Sequence, residues 1–362
     1  MFSRILSCDP PRSTLLAVIL ALIFVGLLTA PYVFPTLQAL SVAVKIMVFI
    51  VLVASFDILL GYTGIISFAH TMYFGIGAYG IAIASSWMGP TWTALLVGLA
   101  IALLVSCLIA GIIAIFSLRI RAVFFSMITL AVAAAFQTLA AQLSDFTGGE
   151  DGITFRLPQQ LSAAFKYFDY PFSGSAAGFN GQLACYYLLF ATCTLCFLTI
   201  LRIVNSPFGR VLQAIRENEF RAEAIGYRVL LYRAVAALLS AVFATVAGAM
   251  LAIWLRYNGP ETTLSFEIMI DVVLITMIGG VGTIYGSVIG SVVFLVAQNY
   301  LRDLLLSAEQ FSASVPLLGR LLSPDRWLLW LGVLFVLSVY FFSSGIVGHL
   351  RERTRNQERS HK

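Results

Sequence analysis

Four ionisable side chains, Lys45, Asp57, His70 and Asp271, sit inside apolar runs. A charge in hydrocarbon is expensive, so each is a functional candidate by default. Asp271 is the best candidate for a translocation pathway or an interhelical hydrogen bond. His70 reads as a satisfied interior histidine rather than as a ligand. Lys45 is placed to snorkel outward, and Asp57 to reach water at the opposite end of its segment. Other chemistry is thinly supplied. Cys193 and Cys196 form a CxxC within an apolar segment; three apart, they share a helix face and behave as small hydrophobes. His70, His349 and His361 give no pair at metal-ligand spacing, and no Ser/His/Asp arrangement is suggested. We expect no catalytic residue and no metal. A phosphate-binding loop needs G-x-x-x-x-G-K-[ST], yet none of Lys45, Lys166 and Lys362 follows a glycine. No ATPase site of that type is expected.

The elements that hold these residues follow from composition. Of 362 residues, 60% are apolar and 11% charged, against roughly 25% charged in soluble domains. A water-facing surface cannot be built from so few charges, and disordered chains are polar. A span needs about 20 apolar residues. Ten segments qualify: 14–34, 37–60, 64–87, 91–117, 122–143, 182–204, 233–256, 268–283, 285–306 and 327–347. The first follows Arg4 and Arg12 like a signal peptide, but it lacks an A-x-A site and reads as a retained helix. The expected fold is all-α, a polytopic bundle forming one transmembrane domain over 1–350 with a basic tail at 351–362. The net charge of +5 points to membrane orientation and lipid rather than to nucleic acid.

Orientation follows from the basic residues. With the N-terminus inside, fifteen of the 22 fall on inside segments and six on outside ones, as the positive-inside rule requires. Both termini are expected in the cytoplasm. Residues 144–181 then form an external loop, opening on Thr147-Gly148-Gly149-Glu150-Asp151-Gly152, and 205–232 form the main cytoplasmic loop.

That loop should hold a helix. Ser206 suits an N-cap, Pro207 the first helical position and Gly226 the residue past the end. One continuous helix of about 28 Å is expected between them. Its charges forbid a span. Glu217 and Arg221 have favourable i, i+4 spacing, and Val211, Ile215, Ala222 and Ile225 form an apolar stripe. Such a helix could lie on lipid headgroups or dock in a groove of a partner protein. Its three acids favour the protein.

Ala222-Glu223-Ala224-Ile225-Gly226 resembles the E-A-A-x-x-x-G-type loop of ABC importer membrane subunits, with the glycine two residues after the second alanine. The stretch SPFGRVLQAIRENEFRAEAIG is similar to the permease family serving branched-chain amino acids. Leu60-Gly61-Tyr62-Thr63-Gly64 followed by Ser67 and His70 resembles that family's early motif. The 147–152 turn resembles its external TGGxxG, and Gly279-Gly280-Val281-Gly282-Thr283-Ile284-Tyr285-Gly286 its late GGxGTxxG. The four stand in family order over about 57–290. The family commonly has Asn where Asp57 stands, and the segment after 307 matches no motif.

The resemblance implies a pore-forming subunit in a bacterial inner membrane, paired with a second permease subunit of a different sequence. Two cytoplasmic ATPase subunits would bind ATP and magnesium, and a periplasmic binding protein would deliver the amino acid. No cofactor belongs to this chain. Arg216, Glu217, Glu223, Ala224 and Gly226 would form the ATPase-coupling helix. Asp57, Ser67, His70, Asp271, Gly279, Gly280 and Gly282 would serve the pathway or helix packing, and the 147–152 turn would help contact the binding protein. Gly282, Gly286 and Gly290 are four apart, a small-residue stripe for close helix approach, while Gly279-Gly280 is the expected helix break. A competing reading is a self-sufficient secondary transporter, which would show internal repeats and midplane ion sites. A membrane-embedded enzyme would need a site that the residues do not supply.

Overall fold

The computed structural model describes residues 14–34, 36–117, 122–168, 179–311, 326–341 and 345–349. Arg4, Arg12, Arg119, Arg121, Arg320 and the tail 351–362 lie outside them. Ten helices fall on the ten segments expected to cross. They are α1 (Thr14–Val33), α2 (Leu37–Thr63), α3 (His70–Met88), α4 (Trp92–Ser117), α5 (Ala122–Gln142), α6 (Gly181–Val204), α9 (Val229–Leu255), α10 (Phe266–Gly279), α11 (Ile284–Phe311) and α12 (Trp327–Phe341). The two short helices α7 (Pro207–Glu217) and α8 (Glu219–Ala224) lie between α6 and α9. Among the described residues, eight helices are long and apolar enough to cross a membrane by themselves.

α2 is the axis of the bundle. Thr36 caps it by accepting from the Ala39 amide at 3.3 Å, and Gly64 ends it in the left-handed region at φ 73°. Its residues from Val42 to Leu59 are buried with one exception, the half-buried Lys45. α9, α11 and α6 surround it. The third span begins at His70 rather than 64, because Gly64 turns the chain out of the helix and 64–67 have no regular structure. α3 then runs between α4 and α9. Its small and polar residues make it a poor lipid-facing helix, but it is buried in protein. A Cβ on Gly77 would lie 3.0 Å from the Thr245 Cα, and one on Gly248 would lie 3.1 Å from the Phe74 Cα. Glycine thus lets α3 and α9 touch backbone to backbone.

The turns sort to two ends. Ser126 Oγ donates to the Ile66 carbonyl at 2.9 Å, the Phe68 amide donates to Thr129 Oγ1 at 3.1 Å, and Arg216 reaches Gly61. The segments at 64–69, 205–228 and 280–283 therefore share one end. Leu16, Ile289 and Val347 pack together there, so the first and last described residues belong to it too. At the opposite end, β1 (Ile153–Thr154) pairs antiparallel with β4 (Tyr257–Asn258). A second pair joins β2 (Lys166–Phe168) to β3 (Phe179–Asn180). The 147–152 turn is thereby stitched to the connection between α9 and α10. Trp92 Nε1 donates to Gln160 Oε1 at 2.7 Å and Arg256 donates to the Leu161 carbonyl at 3.2 Å at this end.

Candidate functional site

The loop between α6 and α9 is two helices, not the single rod expected. Asn218 breaks it at φ −159°, ψ 101°. Its amide closes α7 on the Ala214 carbonyl, and its side-chain oxygen accepts from the Arg221 amide at 2.9 Å, capping α8. An Asn side chain that bonds the backbone locally competes with helix continuation and favours a cap. Glu217 and Arg221 therefore stand on opposite sides of a break and not on one helix. Ser206 holds the N-cap position of α7, but its hydroxyl donates back to the Ile203 carbonyl at 2.6 Å. Gly226 lies past the end of α8 at φ 99°, with open space where a Cβ would be.

One face of this helix pair is seated on the bundle. Gly209, Leu212, Ile215 and Ala222 are buried. Phe208 stacks on Tyr232 of α9 with ring centres 5.7 Å apart. Arg233 of α9 makes a two-pronged contact with Glu219, at 2.7 and 3.0 Å, a geometry that adds directional specificity. The other face is open. Phe220 is 85% exposed and Ile225 70% exposed, so Ile225 does not belong to the buried stripe expected of it. Glu217, Glu223, Ala224 and Gly226 are exposed as well.

Arg216 links the helix pair to the membrane helices. Its Nη1 donates to the Gly61 carbonyl in the last turn of α2. A Cβ on Gly64 would meet its Cγ at 3.3 Å, and one on Gly282 would meet Nη1 at 2.9 Å. Asp57, one turn up α2, does not reach water. It is buried, and its Oδ1 accepts from the Gly282 amide at 2.8 Å while Oδ2 has no hydrogen-bond partner. The Arg216 charge acts on this carboxylate. α10 ends at Gly279, and Gly280 turns at φ 112° with its amide on the Thr276 carbonyl. Gly282 follows at φ 82°. It lies in this turn and not on the α11 stripe. Gly286 and Gly290 do line that stripe, against Gly279 and Ile275. Asp57, Gly61, Gly280, Gly282 and Arg216 thus meet where α2, the α10–α11 turn and α7 converge. A buried polar oxygen left without a partner costs about 1–3 kcal/mol, so this junction holds an imperfectly satisfied carboxyl group.

Two further clusters lie within the bundle. His70 is fully buried, with Nδ1 3.2 Å from the Ser67 carbonyl and Nε2 2.6 Å from Ser240 Oγ. Ser240 Oγ donates to the Ser55 carbonyl at 2.6 Å. The chain of contacts ties α2, α3 and α9 together, which favours the interior reading of this histidine. Ser67 is buried and its Oγ accepts from the Ala69 amide at 3.4 Å. Nearer the opposite end, Gln298 of α11 bridges two ionisable groups. Lys45 Nζ donates to its Oε1 at 3.3 Å, and its Nε2 donates to Asp271 Oδ2 at 3.2 Å. Lys45 therefore turns into the bundle instead of snorkelling, with Nζ 5.8 Å from the Phe49 ring centre.

Cys193 donates to the Met47 carbonyl at 3.3 Å and Cys196 is buried. Sequence reasoning missed Gly61, Ser240, Gln298, Asn218 and Phe220. Gly61 lay inside a quoted motif, and Asn218 carried a capping signal. Gln298 and Ser240 gave none, because their partners are 27 to 253 residues away.

Residues 38–339 match the protein family described as "Branched-chain amino acid transport system / permease component". Over 277 residues the chain is 24% identical to the high-affinity branched-chain amino acid transport system permease protein LivM of Salmonella typhimurium, covering 73% of this chain and 64% of that one. The LivM of Escherichia coli is 23% identical over 275 residues, covering 73% and 63%. A probable LivM of Methanocaldococcus jannaschii is 24% identical over 155 residues, covering 42% and 43%. The match thus spans less than two thirds of the length of these relatives. No solved structure matches the chain.

Proposed function

As the chain belongs to the branched-chain amino acid transport system permease family, we propose that it is a pore-forming permease subunit of an ATP-driven importer in a bacterial inner membrane. Its cargo is a branched-chain or related amino acid. A second permease subunit completes the pore, two cytoplasmic ATPase subunits bind ATP and magnesium, and a periplasmic binding protein delivers the cargo. Both termini and the α7–α8 pair face the cytoplasm. The three lysines leave no P-loop in this chain, consistent with a motor on separate subunits.

The observation that carries this reading is the two-sided α7–α8 pair. Its inner face is seated on the bundle, and its outer face presents Phe220, Ile225, Glu217 and Glu223 with nothing over them. An exposed aromatic flanked by charges suits an interface anchor. A partner that grips this face moves α7, and Arg216 passes that motion to α2 and the α10–α11 turn. A conformational change requires contacts that differ between two states; the Arg216 hydrogen bond to Gly61 and its close approach to Gly282 can supply them. Glu223, Ala224 and Gly226 set the end of α8 and hence the seat for the partner.

The test is co-purification from native membranes. The wild-type chain should bring down an ATPase subunit, and Phe220→Ala with Ile225→Ala should reduce its recovery about tenfold or more, as loss of a hot spot does. Equal recovery with the double variant overturns the docking surface. Active transport by the chain alone in liposomes overturns the importer reading.

A further inference from the structure

Lys45, Gln298 and Asp271 come from α2, α11 and α10, three elements far apart in the chain that the fold brings together. They lie in the half of the bundle remote from α7. Lys45 is eight residues from the start of α2 and Asp271 five from the start of α10, both of which begin at that remote end. A purely structural ion pair in a membrane gains most by closing cation directly on anion. Here a neutral amide stands between them. The Gln298 amide is oriented by its partners, since its oxygen must face the ammonium and its nitrogen the carboxylate. One of three ammonium donors is used on Gln298, and one carboxylate oxygen accepts from it. Two further ammonium donors and the second carboxylate oxygen remain as hydrogen-bonding valence for a ligand. All three residues are half-buried, so the cluster borders a surface of this subunit. One turn further out on the same helix, exposed Glu267 adds a second negative charge that acts on Asp271.

We infer that Lys45 and Asp271, held apart by Gln298, form a way-station for the charged ends of a zwitterionic amino acid. Lys45 receives the carboxylate and Asp271 the ammonium, in the outer half of the membrane. The station rests on the permease reading above and adds to it the residues that hold the two charged ends of the cargo. Glu267 at the outer edge draws the ammonium end first. Gln298 sets the spacing of the two charges, so it is a positioning residue for the substrate. Ionisable side chains retained inside a membrane bundle are costly and mark substrate or ion paths, which is the role the station gives Lys45 and Asp271.

The experiment uses the complete transporter, purified through this chain and reconstituted in proteoliposomes with its binding protein, and radiolabelled leucine as probe. Lys45→Met combined with Asp271→Asn removes both charges while keeping side-chain size. If the cluster only holds helices together, this neutral pair restores what either single variant loses. The station predicts that the double variant assembles, keeps binding-protein-stimulated ATP hydrolysis within about twofold, and loses leucine uptake by about tenfold or more. Wild-type uptake by the double variant overturns the station and leaves the permease reading intact. Failure of the wild-type complex to move leucine or any other amino acid overturns both. If the double variant does not assemble, Asp271→Glu carries the test, because it keeps the charge and displaces it by one methylene. Uptake should then fall about fivefold or more with ATP hydrolysis unchanged, and unchanged uptake overturns the station.

Discussion

Gly282 shows how one residue can matter through what it leaves out. Its φ of 82° is unfavourable for any residue with a Cβ, and that Cβ would stand 2.9 Å from Arg216 Nη1 and 3.1 Å from the Gly61 carbonyl. The space it vacates is where the guanidinium rests. Gly282→Ala should therefore lower stability by about 1–3 kcal/mol and displace Arg216. Thermal unfolding in detergent reads the first effect, and the number of amino acids moved per ATP reads the second. Gly226→Ala is the matched comparison. It shares the positive φ but has open space around it, so it should cost backbone strain without moving Arg216. Equal behaviour of the two variants in coupling would mean that the Arg216 contact transmits nothing.

Between elements, the decisive contact is α3 on α9. Gly77 meets Thr245 and Gly248 meets Phe74 at backbone distance, and this approach also sets the reach from His70 on α3 to Ser240 on α9. Gly77→Val should pry the helices apart and lower the unfolding temperature sharply, since a branched side chain has no void to enter and overpacking costs about 1–3 kcal/mol or more. Gly111→Ala in α4 meets nothing within 4 Å, so it should be neutral or stabilising by up to about 1 kcal/mol. The unfolding midpoints of the two variants, measured in the same detergent, separate the packing role from any general dislike of substitution. The loop helices carry a second lesson at this scale. Charge and apolar spacing made them legible as an amphipathic helix, but Asn218 divides them because its own side chain can cap.

For the molecule as a whole, sidedness is the property from which function follows. The α7–α8 pair, the 64–69 segment and the 280–283 turn share one end, and the 147–152 turn with its β1–β4 pairing lies at the other. In a chain with its native cysteines replaced, a cysteine at Glu223 should react with a membrane-impermeant reagent only from the cytoplasmic side. One at Glu150 should react only from the outside. Labelling of Glu223→Cys in intact cells would place the helix pair beyond the reach of any ATPase.

The bundle itself was readable from the chain, because crossing hydrocarbon imposes a length and an apolar composition on each helix, and charges such as those of 205–232 cannot enter. The family resemblance rode on short stretches whose residues are neighbours in sequence. What those residues touch was not readable. Lys45 looked free to snorkel until Gln298, 253 positions away, stood beside it, and Asp57 looked wet until the Gly282 amide closed over it. Hydropathy and periodicity report how one segment meets its solvent. The partner of a buried polar group is chosen by helices that meet only after folding, so the tertiary structure alone could assign the Arg216 junction and the Lys45–Gln298–Asp271 bridge.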